Sequence, residues 1–209
     1  MKQFATRHAV CCTALAFVLL ALAAGAKLFA PGAVLDTQDQ NYGYALKWHA
    51  QGHANWLRGW NPQVCGLADS ARIQLCNTLL LVSARGYINW LQFAALASLG
   101  FFTALYLRGK RTRWSAAVFG GVLAAWLGTN FSLLSAGHFG KYGGLLFLGP
   151  ALWAVGKLGE AALPRRRRVL WGMVAAACVV AMFFEQLDTG LFFGVFLFPL
   201  ALQIGRAHV

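Results

Sequence analysis

Long apolar stretches separated by short polar breaks repeat along the chain, with one large interruption between residues 31 and 87. The apolar stretches cover residues 9–30, 88–107, 114–134, 143–158, 169–184 and 191–203. A segment needs about 20 mainly apolar residues to cross the hydrocarbon core of a bilayer. The first three meet that length unaided. The fourth and fifth reach it by extending a few residues into their flanks, and the sixth is cut short by the chain end. Each crossing segment must satisfy its own backbone hydrogen bonds, so each is expected to be a helix. The pattern therefore predicts an all-α integral membrane protein of about six transmembrane helices. Residues 1–203 form a single transmembrane domain, and residues 31–87 form a large first loop with helices lying at the interface.

Composition supports the same class. The 209 residues are 59% apolar and only 11% charged, with a mean hydropathy of +0.57, whereas soluble domains are about a quarter charged. The net charge of +12 is mostly topological. Lys2, Arg7, Arg108, Lys110, Arg111, Arg113, Lys157 and residues 165–168 all fall on one side if every stretch crosses once. The positive-inside rule makes that side the cytoplasm. The expected location is the bacterial cytoplasmic (inner) membrane, with the N-terminus inside and the first large loop outside. Nucleic acid is excluded as a partner, because residues 165–168 are a short tether between spans rather than a basic domain.

Two features concern the chain ends. Lys2, Arg7 and an apolar core ending at Ala26 resemble a signal peptide. The apolar run continues through Leu28, Phe29 and Ala30, which favours an uncleaved first helix. At the other end, residues 204–209 back-translate to ATC GGA AGA GCA CAC GTC, which resembles a common sequencing-library adapter. These six residues are expected to be an artefact, and the natural protein is expected to continue beyond Gln203.

Candidate chemistry concentrates outside. Five of the six carboxylates, Asp36, Asp39, Asp69, Glu185 and Asp188, lie in segments assigned to the outer face; Glu160 does not. Asp36 and Asp39 are three residues apart, a spacing that puts both on one helical face near the headgroups. Such a pair suits a divalent metal ion, a general base, or a raised pKa through mutual repulsion, and either Asp also suits a helix cap. His49 and His53 share a helix face, but no acidic partner is near and they read as interfacial polar groups. Cys65 and Cys76 are expected to form a disulfide closing a short outer loop. The second outer turn holds His138 and Lys141 among glycines, suited to proton transfer and to holding a phosphate. In the third, Glu185 follows two phenylalanines at the hydrocarbon boundary, where an ionisable group signals function. Asp188 suits a cap of the sixth helix equally well.

Three motifs together carry a resemblance: Trp60-Asn61-Pro62 after the early Asp residues; Ala136-Gly137-His138 with Lys141 and the later Pro150; and Glu185 and Asp188 before Thr189-Gly190-Leu191-Phe192-Phe193. From about residue 9 to 203 the chain resembles the N-terminal part of bacterial YfhO-type membrane proteins, relatives of the multi-spanning GT-C glycosyltransferases. The resemblance implies sugar transfer from a polyprenyl-phosphate donor to a cell-envelope glycan acceptor at the outer face. It implies Asp36 or Asp39 as catalytic base, His138 and Lys141 on the carrier phosphate or acceptor, and Glu185 or Asp188 assisting. The departure is length: such proteins usually carry more spans and often a soluble C-terminal domain. The competing readings are a transporter or flippase-like component and a non-catalytic scaffold. A transporter usually places ionisable groups at the bilayer midplane, and the apolar stretches here are nearly free of charge.

Overall fold

The structure is a computed structural model that describes residues 2–35, 46, 75–77, 82–128, 130, 139–160 and 162–206. Among the described residues the chain is all-helical, with no strand. Six helices follow in order: α1 (Lys2–Ala24), α2 (Ala84–Gly109), α3 (Trp114–Ala125), α4 (Phe139–Leu158), α5 (Arg165–Glu185) and α6 (Leu187–Arg206). Short 3-10 turns occupy Ala26–Phe29 and Leu75–Asn77. Two helices, α2 and α5, are long and apolar enough to cross a membrane; the apolar parts of α1, α3 and α6 are shorter.

The helices alternate in direction. Phe17 of α1 meets Gly100 of α2, while Gly25 meets Trp90, so α1 and α2 are antiparallel. Gly121 of α3 abuts Gly100 and Gly120 abuts Leu107, again antiparallel to α2. Along α2 and α4 the numbering rises together, from Ser98–Leu146 to Tyr106–Gly156, so these two run parallel. Glu185 of α5 lies on Gly143, and Thr189 of α6 lies on Gly144. One end of the bundle therefore carries the start of α2, α4 and α6 and the finish of α1, α3 and α5. The other end carries the basic breaks.

Close approach relies on glycine. A Cβ on Gly121 would stand 2.3 Å from the Gly100 carbonyl oxygen, and one on Gly149 would stand 2.9 Å from Leu99 Cα. Such small-residue contacts are how helices pack where no hydrophobic force separates them from lipid. Around this core, Leu15, Leu19, Phe119, Leu123, Met173, Val180, Phe192 and Phe196 are exposed. An apolar perimeter of that extent suits lipid tails better than water.

Local chemistry fixes the helix limits. The Ser83 hydroxyl accepts the Gly86 N–H at 2.9 Å and starts α2. The third stretch, expected to continue to residue 134, stops as α3 at Ala125, because the Asn130 amide donates to the Ala124 and Ala125 carbonyls at 3.1 and 2.8 Å. In α4, Pro150 has no N–H for the Leu146 carbonyl. Ser98 of α2 donates its hydroxyl to that oxygen at 2.9 Å. Ser98→Ala is therefore expected to orphan the carbonyl and cost about 1 kcal/mol. Thermal unfolding in detergent against Ser98→Thr, which keeps the donor, checks this.

Candidate functional site

The chain leaves α1 through the 3-10 turn and is clamped onto α2. Arg85 donates from Nε to the Ala33 carbonyl at 3.1 Å and from Nη2 to the Ala30 carbonyl at 2.8 Å. Asn89, wholly buried, donates to Ala33 at 3.0 Å and accepts the Leu35 N–H at 2.9 Å. Arg85, Asn89 and Gln92 recur at helical spacing on the first turns of α2, where Gln92 donates to the Asn89 carbonyl. That polar stripe in an otherwise apolar stretch is the sequence signal for this docking.

The same segment is held again at its far side. Glu185, only 1% exposed, ends α5 with its Oε1 accepting the Cys76 N–H at 2.7 Å. The Leu75 N–H and the Cys76 thiol also donate to this carboxylate. On the opposite side the carboxylate rests on Gly143, where a Cβ would stand 2.3 Å from Oε2. Backbone donors on one flank and a bare glycine on the other explain how an acidic group is accommodated at full burial. Burial first, and then the Glu185 charge, push the Cys76 thiol well above the ordinary thiol range. It is a protonated donor, not a nucleophile.

Cys76 thus corrects an expectation. Its thiol is free and bonded to Glu185 instead of bridging to Cys65, which lies outside the described residues. Glu185, expected to assist at the carrier or substrate, is buried, and its carboxylate holds the Cys76 backbone.

Both anchors meet in one apolar cluster. Cys76 packs with Ala84, Tyr87, Ile88 and Leu91, and Val34, Leu35, Leu146 and Phe147 pack against the same group. Leu35 and Cys76 therefore lie in one cluster, beside Glu185 and α4.

The remaining candidates divide. Lys141 is part-buried in the first turn of α4, two residues from the Gly143 that receives Glu185. Asp188 is exposed in the first turn of α6, with Oδ1 accepting the Thr189 N–H at 2.7 Å. It therefore lies within the first turn of α6 and not at the cap position. Asp36, Asp39 and His138 lie outside the described residues, as do His49 and His53. Among the described residues no three His, Cys, Asp or Glu side chains gather as a metal site. No family model matches the chain, and no curated protein or solved structure matches it.

Proposed function

We propose that the chain is the N-terminal portion of a multi-spanning membrane glycosyltransferase, of the YfhO and GT-C type, working at the outer face of a bacterial cytoplasmic membrane. The observation that supports this most is the convergence of Leu35 and Cys76 in one cluster beside Glu185. It tethers the residue preceding Asp36 close to the end of the bundle where Lys141 begins α4.

In this reading a hydroxyl of a cell-envelope glycan attacks the anomeric carbon of a polyprenyl-phosphate-linked sugar. Asp36 or Asp39 takes the hydroxyl proton, the bond from the anomeric carbon to the phosphate oxygen breaks, and the carrier phosphate leaves with the electron pair. His138 and Lys141 hold that phosphate and stabilise its growing charge. Glu185 and Cys76 keep the catalytic segment docked. A divalent ion, if used, would be held by Asp36 and Asp39.

The test is consumption of radiolabelled polyprenyl-phosphate sugar by membranes that carry the complete open reading frame. Release of free carrier phosphate above that of empty-vector membranes is the expected result. Release equal to the vector control, across the common envelope sugars, would sink the glycosyltransferase reading.

A further inference from the structure

The basic end of the bundle holds a cavity of about 640 Å³, within the range of small-ligand sites. Tyr106, Lys110 and Arg111 from the end of α2 line it on one side, and Trp153, Gly156 and Lys157 of α4 on the other. Gly156 makes room for the wall: a Cβ there would stand 2.6 Å from the Tyr106 ring. Lys110 Nζ lies 5.5 Å from the centre of that ring. Lys157 is paired with Glu160 at 2.5 Å. Lys110 and Arg111 have no carboxylate partner among the described residues. Arg108, Arg113 and residues 165–168 add further positive charge at this end, which draws anions towards it.

A second observation comes from the backbone. Helix α2 closes with Arg111 N–H donating to the Arg108 carbonyl at 3.0 Å and Thr112 N–H to the Leu107 carbonyl at 3.4 Å. That is a Schellman ending, and its left-handed position is normally glycine. Here Arg111 occupies it at φ 64°, the one non-glycine residue with positive φ among those described. An arginine is strained where glycine would be relaxed. The turn brings Arg111 to the cavity wall.

We infer that this cavity binds a phosphate ester, with Lys110 and Arg111 on the phosphate and Tyr106 and Trp153 flanking its organic part. A guanidinium offers paired donors to phosphate oxygens and an ammonium adds a point charge. Basic pockets between membrane helices take lipid headgroups by this chemistry. A soluble phosphate monoester would engage the same two cations.

Native mass spectrometry of the full chain in neutral detergent distinguishes the sources, with phosphatidylglycerol in one arm and glycerol 3-phosphate in the other. Arg111→Gly removes the guanidinium and relieves the backbone, so its unfolding temperature should match or exceed the parent's while affinity falls about tenfold. Lys110→Gln should give a similar loss without altering the left-handed position. The double change Arg166→Gln with Arg167→Gln removes more charge from the exposed start of α5 and should alter affinity by less than about twofold. Binding of phosphatidylglycerol alone assigns a lipid headgroup, and binding of both probes assigns a phosphate-ester site open to soluble ligands. No binding in either arm overturns the inference. So does an equal loss in the Arg111 variant and the α5 double variant, which would reduce the effect to diffuse surface charge.

Discussion

Glu185→Ala is expected to destabilise the Glu185 end of the bundle by about 3 kcal/mol and to release the arm that carries Cys76. The carboxylate accepts the Leu75 and Cys76 N–H groups and the Cys76 thiol. Without it the Cys76 N–H and thiol lose that acceptor inside an apolar cluster. Leaving buried donors unmet costs more than the bonds contribute when formed. Cys76 reports the change. In the parent its thiol is buried and held protonated by burial and by the neighbouring charge, so maleimide labelling at Cys76, read by peptide mass spectrometry, should be slow. In Glu185→Ala it should be fast. Gly143→Ala approaches the contact from the other side, since its Cβ would stand 2.3 Å from Oε2 and 2.7 Å from Cδ. The carboxylate would have to leave its donors, and Cys76 should again become reactive. Glu185→Gln keeps one acceptor oxygen and should lie between. Protection of Cys76 persisting in both alanine variants would remove Glu185 as the anchor.

Replacing Asp36 and Asp39 together by Asn should lower consumption of the lipid-linked sugar by about 100- to 10,000-fold, the usual contribution of a general base. An amide of the same shape cannot take the hydroxyl proton. The single variants identify the base: one should carry nearly all of the loss. Cys76 should stay protected in all three, because its described bonds run to Glu185. That combination separates a chemical defect from an undocked segment. Full consumption by the double variant would take the base role away from both residues.

The alternation of apolar and polar stretches made the six helices legible, but not their limits. Hydropathy follows the lipid-facing part alone, while backbone bonding continues into polar ends. Hence α2, α4, α5 and α6 each begin four residues before the apolar stretch that announced them, and α5 starts at Arg165 inside the basic run. Helix α3 errs the other way. Its continuation looks just as apolar, and the stop comes from one amide, Asn130, taking two carbonyls at the end of α3. Pro150 was visible as part of a motif, yet its consequence, a carbonyl satisfied by Ser98 of another helix, depends on packing.

The site shows the same division. Glu185 stood out because a carboxylate beside two phenylalanines is costly. Its partners did not stand out, since Cys76 is 109 residues away and bonds mainly through its backbone, which any residue type carries. A shared segment assigned to an oxidising compartment suggested a bridge between Cys65 and Cys76; the burial of the Cys76 thiol against Glu185 gives it a different use.

The proposed reading depends on sidedness, because it requires the Glu185 end of the bundle to face outward, where a lipid-linked donor would meet it. Alkaline phosphatase, which matures only in an oxidising compartment, can be fused after Val82, beside the Ser83 cap, and after Arg111, at the cavity end of α2. An active fusion at Val82 with an inactive one at Arg111 is the predicted result. Activity at Arg111, with none at Val82, would put the basic end outside and contradict it.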